Sequence, residues 1–265
     1  MKANCTFRNS WRYFLHDLKI SWSRSRMITL TMAMYPILNF LIYAYMGHLK
    51  QDPYWQIDTY SINWTYEGIA ILYFLLVPIT CYGRYTEKTE GTGFILLPAS
   101  HTAKFTSMTV ISVIILPLIF ILTFMTADYL IFLAAPERFS GEMPLVSRVF
   151  TDRTLFTIDK NLVALTINFG FLSGLFIPFM VSSAGLCGAW LFKKGNKQAK
   201  TFLTCALSFI TLMAILILIA EKTGSDRWFI PENTAIMAVS WLVFQIFCAI
   251  CCLGHVYLKT RKIQL

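Results

Sequence analysis

Charged residues divide the chain into long uncharged runs. No Lys, Arg, Asp or Glu falls between Arg26 and Lys50, Glu67 and Arg84, Lys160 and Lys193, Lys200 and Glu221, or Glu232 and Lys259. The stretch from Lys104 to Glu137 holds only Asp128. A helix rising ~1.5 Å per residue needs about 20 apolar residues to cross ~30 Å of hydrocarbon. Five of the six runs meet that length. The second reaches it only with Trp64, Tyr66 and Tyr82 seated in the interfaces as anchors. The pattern predicts an all-α, polytopic membrane bundle with six transmembrane helices, at about 27–46, 65–83, 105–133, 162–192, 201–220 and 235–257 within a domain 27–258.

The segment before the first span, 1–26, carries a different period. Phe7, Trp11, Phe14, Leu15, Leu18 and Trp22 recur at helical spacing, with Arg8, Arg12, Lys19 and Arg24 at other positions. This predicts an amphipathic helix whose face of Phe7, Trp11, Phe14, Leu18 and Trp22 lies in the lipid interface; packing on a partner is the alternative. The segment is too long for a signal peptide, and no small-residue cleavage site follows the first run, so the span is expected to be retained. A short basic tail, 259–265, closes the chain.

Composition supports the membrane reading. Hydrophobic residues make up 56% of the chain and charged residues 14%, against roughly 25% charged in soluble domains. Basic residues then set the orientation. Segments 1–26, 84–105, 193–200 and 258–265 hold 16 of the 23 Lys and Arg, and the alternate segments 47–68, 134–161 and 221–235 hold 7. Acidic residues run the other way, with 3 on the first side, 10 on the second, and Asp128 within a span. Both termini are therefore expected in the cytoplasm. The net charge of +9 is explained by these flanks facing anionic lipid, so nucleic acid is not expected as a partner.

The seven cysteines suggest no framework, since none belongs to an outer segment where oxidation could pair them. Cys248, Cys251 and Cys252 lack the histidine and thiolate spacing of a structural zinc site, and they read as small packing residues. Pro36, Pro78, Pro117 and Pro178 fall inside spans and predict kinks. The fourth span is rich in small residues, and Gly170 with Gly174 permits close helix approach. Outer segments 47–68 and 134–161 carry Tyr54, Trp55, Phe139, Phe150 and Phe156 and are expected to fold over the surface.

Catalytic chemistry is sparse. The chain has no phosphate-binding G-x-x-x-x-G-K-[ST], no H-E-x-x-H and no G-x-S-x-G, so it is expected to be no enzyme and to hold no cofactor or metal. Asp128 lies toward the outer end of its span and reads as an interfacial residue that ends the helix or caps an outer one. No set of polar residues converging within the spans is visible in the sequence.

One segment carries a motif. From Arg84 to Phe105, Gly91 and Gly93 interrupt a charged stretch, Phe94 to Leu97 form a short apolar patch, Pro98 follows, and Ser100 stands where it can cap the next helix. Docking on a soluble partner and lying on lipid headgroups both fit that patch. Glu87, Glu90, Gly91, Thr92, Leu96, Leu97, Pro98 and Ser100 resemble, in order, the loop between spans two and three of ABC-2 type ABC transporter permease subunits. The Leu-Leu-Pro-Ala-Ser…Lys-Phe form is similar to permease-like proteins common in Bacteroidetes, though Ala103 stands where those often have Glu. The resemblance covers about twenty residues as motif and most of the chain as topology; the outer segments 47–68 and 134–161 are longer, and 221–235 shorter, than the family usually has.

The resemblance implies the membrane-spanning permease of an exporter. It would form a homodimer or heterodimer with a second permease and bind separate ABC ATPase subunits that carry the ATP. The loop 87–100 would convert ATPase closure into helix rearrangement. Lipids, glycans, peptides and drugs all remain open as substrates. A non-transporting anchor or assembly subunit and a stand-alone carrier are the alternatives.

Overall fold

In the computed structural model, the described residues are 2–57, 59–86, 99–139, 169–192, 195–223 and 231–264. Among them every regular element is helical and there is no strand. The main helices are α1 (Lys2–Ala33), α2 (Tyr35–Leu49), α3 (Thr59–Tyr82), α4 (His101–Thr109), α5 (Leu116–Ala134), α6 (Phe169–Leu191), α7 (Lys197–Thr223) and α8 (Pro231–Gln264). Four stretches of the described residues are long and apolar enough to cross a membrane: Asn9–Leu49, Thr65–Thr86, His101–Ala134 and Leu242–Lys262. Phe176–Leu191 is a shorter apolar stretch. The described residues are thus those of an all-helical protein of membrane type. The described parts of the six uncharged runs fall mainly within these helices.

The boundary between leader and first span is not a helix boundary. α1 runs unbroken through Arg26 and Met27, because nothing between them breaks a helix and the Ser25 and Thr29 hydroxyls bond back to the carbonyls of Ser21 and Ser25 at 2.8 and 3.0 Å. The interruption comes at Met34, inside the predicted span. Pro36, near the start of α2, cannot donate a backbone bond, so the chain turns once and restarts. Asn9–Leu49, at 41 residues, is about twice the length of a crossing. Its five charged residues all precede Met27, so the part suited to hydrocarbon begins there.

Proline also shapes the third run. Pro117 has no N–H for the Val113 carbonyl, and the helix widens just ahead of it into a π segment, Val110–Ile115. The Leu116 N–H there reaches back to the Ile111 carbonyl. The buried Tyr73 hydroxyl donates to the Leu116 carbonyl at 3.2 Å and pairs with Thr29 Oγ1 at 3.0 Å, joining α3 to the wide turn and to α1. By contrast Pro78 and Pro178 lie inside continuous helices.

The core is aromatic. Tyr73 stacks on Phe120 with ring centroids 4.0 Å apart, and Phe74, Phe124 and Tyr66 pack edge-on or tilted around that pair. The most extensive helix contacts are α3 with α6 and α6 with α8. Close approach is made at Gly185, whose added Cβ would lie 2.4 Å from the Leu75 carbonyl oxygen. The surroundings of Gly170 and Gly174 lie outside the described side chains. Leu38, Leu41, Ile42, Leu118, Leu122 and Leu130 are exposed on α2 and α5, an apolar surface suited to lipid.

At one end of the bundle the two long outer segments meet. The Ile57 N–H donates to the Arg138 carbonyl at 2.9 Å, and the Arg138 guanidinium donates to the Pro53 carbonyl at 2.9 Å while lying over the Trp55 ring. Ile57 and Phe139 are buried there. The described parts of these segments fold onto each other. Phe150 and Phe156 lie outside the described residues.

Candidate functional site

The functional candidate is the opposite end, where the four basic segments come together. It starts with a stripe along α1. Asp17, Ser21, Ser25 and Thr29 are each at most 2% exposed, and spacing by four puts successive members on neighbouring parts of one helix face. Burying that many polar groups is costly unless each finds a partner. Most do: Ser107 Oγ donates to Asp17 Oδ2 at 2.6 Å, the Tyr82 hydroxyl donates to the same oxygen at 3.3 Å, and Ser21 Oγ donates to the Tyr82 hydroxyl at 3.1 Å. The helices α1, α3 and α4 thus share a single carboxylate. Asp17 lies before Met27, ahead of the uncharged run of its helix. Burial pushes its carboxyl up to about 6, with the Ser107 and Tyr82 hydrogen bonds and the His16 and Arg24 charges working the other way.

The other basic segments join around the same place. Arg24 donates to the Cys81 carbonyl at 2.7 Å and its guanidinium lies 5.2 Å from the Tyr85 ring centroid. A short 3-10 turn, Gly83–Thr86, follows α3. Lys197, at the start of α7, donates to the Gly83 carbonyl and to Thr86 Oγ1, the latter at 2.8 Å. On the far side of the 87–98 segment, Ser100 caps α4 by accepting from the Ala103 N–H at 3.2 Å. His101 Nε2 pairs with Thr260 Oγ1 of α8 at 2.8 Å, and Tyr257 packs edge-on against both the His101 and Phe105 rings. Segments 1–26, 84–105, 193–200 and 258–265, grouped by charge in the sequence, are therefore bonded to one another.

The predicted site residues divide accordingly. Ser100 is described and caps its helix as its position suggested. Glu87, Glu90, Gly91, Thr92, Leu96, Leu97 and Pro98 lie outside the described residues. On the leader, Trp11 is 53% and Trp22 37% exposed, whereas Phe14 and Leu18 pack partly against the core. The proposed apolar face is thus split between bundle and surroundings, and the Phe7 side chain is not among those described.

One expectation needs correction. Asp128 does not end its helix: it is 3% exposed, lies well inside α5, and accepts from the Tyr66 hydroxyl at 3.3 Å. The polar residues around Asp17, in the leader, were not anticipated. Sequence reasoning missed them because it followed the apolar and basic positions of the leader; the signal was Asp17, Ser21, Ser25 and Thr29 at a constant spacing of four. Lys197 was likewise one lysine among several.

Cys81, Cys187, Cys205, Cys248, Cys251 and Cys252 are free thiols. Among the described residues, no three His, Cys, Asp or Glu side chains are grouped to hold a metal ion. No family model, curated protein or solved structure matches the chain.

Proposed function

We propose that the chain is the membrane permease subunit of an ABC-type exporter in a bacterial inner membrane. It crosses the membrane six times with both termini inside, pairs with a second permease, and is driven by separate ATP-hydrolysing subunits that dock on the loop 87–100. One observation carries this reading. Between them, the two stems of that loop are tied to the other three basic segments, Thr86 and Gly83 to Lys197, Tyr85 to Arg24, and His101 to Thr260. A displacement applied to the loop is thereby delivered at once to α1, α7 and α8. A free-standing surface patch would have no need of such anchoring.

The buried acids support a second reading, a stand-alone carrier, since Asp17 accepts from the Ser107 and Tyr82 hydroxyls and Asp128 from that of Tyr66. The two are separated by Lys197→Met. Removing the ammonium takes away two hydrogen bonds from a charged donor, each worth about 1.5–3 kcal/mol. Under the permease reading the variant still co-purifies with its ATPase but exports at least tenfold more slowly in liposomes, because the stem no longer moves α7. Unchanged export with the ATPase retained would show that the stems do not transmit.

A further inference from the structure

We propose that Asp17 is a proton-binding site, whose occupancy sets how tightly α1 is docked on α3 and α4. The proposal concerns the chain alone and does not depend on the transporter reading.

The geometry is unusual for a carboxylate. Asp17 is 2% exposed, and its two hydrogen bonds both fall on Oδ2. Oδ1 is buried with no partner among the described residues. No ion pair is made to the residue among the described residues. A carboxylate held from water with one oxygen unpaired is strongly disfavoured against its neutral form.

The groups facing it offer no full counter-charge. On its own helix, Tyr13 is neutral and buried, His16 is exposed, and Arg24 is already bonded to the Cys81 carbonyl and stacked on Tyr85. α3 presents Cys81 and the Tyr82 hydroxyl, and the turn after it presents Tyr85. α4 presents Ser107; Lys104, one turn earlier on that helix, is also buried. Every hydrogen-bonded neighbour of the carboxyl is a hydroxyl. The oxygens lie 2.6 to 3.3 Å apart, spacings of hydroxyls bonded to one another rather than spread around a metal cation.

The step is simple. A proton from water adds to the free Oδ1, while Oδ2 goes on accepting from Ser107 and Tyr82. The site is then neutral and α1 stays docked. On loss of the proton the buried charge favours a state in which α1 lifts and the carboxylate is hydrated. The sign follows from linkage: the docked state binds more protons, so docking weakens as pH rises through the range of the site.

The test uses the purified full-length chain in lipid nanodiscs, followed by infrared difference spectroscopy and by amide hydrogen exchange of α1. Between mildly acidic and mildly alkaline buffer, the wild type should lose a protonated-carboxyl carbonyl band, and exchange over residues 9–33 should rise several-fold beyond the intrinsic pH effect. Asp17→Asn should lack the band change and keep α1 equally protected in both buffers. Ser107→Ala removes the shortest bond to the carboxylate, so it should move the midpoint upward by about one pH unit. A merely structural role for Ser107 would leave the midpoint where it is. The proposal is overturned if the band change survives in Asp17→Asn, if wild-type α1 protection is independent of pH, or if Ser107→Ala leaves the midpoint in place. A response to sodium concentration at fixed pH would also overturn it, by making the ligand a metal cation.

Discussion

Gly185→Leu is expected to prevent the bundle from assembling. An added Cβ at this position would lie 2.4 Å from the Leu75 carbonyl oxygen and 3.2 Å from its carbon. Those are backbone atoms of α3 and cannot swing aside as a side-chain tip would, so α3 and α6 must separate. Their contact is one of the two most extensive in the fold. Overpacking a core commonly costs about 1–3 kcal/mol, and opening a helix pair to admit a whole Leu costs more. Against a total stability of about 5–15 kcal/mol, the variant should be degraded or elute as aggregate after extraction. Gly254→Ala is the control, since nothing lies within 4 Å of its added Cβ; its yield and elution should match wild type. A Gly185→Leu variant that extracts and elutes normally would mean that α3 and α6 do not approach as described.

Leu97→Asp should have the largest effect on partner binding. The loop 87–100 has one apolar patch, Phe94 to Leu97, flanked by Glu87, Glu90 and Lys104. Where such a patch is covered by a partner, the apolar centre carries most of the energy and the rim charges little. Placing an unpaired carboxylate in that contact should cost about 3 kcal/mol, roughly a hundredfold in Kd. Pro98→Ala should leave the affinity close to wild type. Glu90→Lys should act chiefly on the association rate and its salt dependence. Titration of the cognate ATPase onto nanodisc-embedded chain separates these effects. Equal Kd values for wild type and Leu97→Asp would remove the loop as the docking element.

Much of the fold was legible because the bilayer is a demanding solvent. Backbone groups in hydrocarbon must bond within their own segment, so a long uncharged run has to be helical. The grouping of the four basic segments was legible as well, since it follows from where lysines and arginines are retained. The break at Met34 was less so. Pro36 announces a kink but does not say that the helix upstream continues through the charged leader. The widening before Pro117 follows from its missing N–H, but the Tyr73 hydroxyl that meets the Leu116 carbonyl comes from 43 positions away. The Asp17 cluster is harder still, because Tyr82 and Ser107 lie 65 and 90 positions away. A single sequence shows the spacing of Asp17, Ser21, Ser25 and Thr29, but not that other helices bring hydroxyls to meet it. A tight helix contact falls at Gly185, which no motif marked, while the surroundings of Gly170 and Gly174 lie outside the described side chains.

The permease, anchor and carrier readings all rest on one arrangement, six crossings with the four basic segments on the cytoplasmic side. Labelling of single cysteines in intact cells tests it most directly, on a background in which the native thiols are replaced. Cysteines at Asn196, Ser100 and Gln264 should resist a membrane-impermeant maleimide until the cells are opened, whereas one at Tyr54 should react at once. Labelling of the Asn196 position from outside intact cells would contradict the arrangement and, with it, the placement of the loop against a cytoplasmic ATPase.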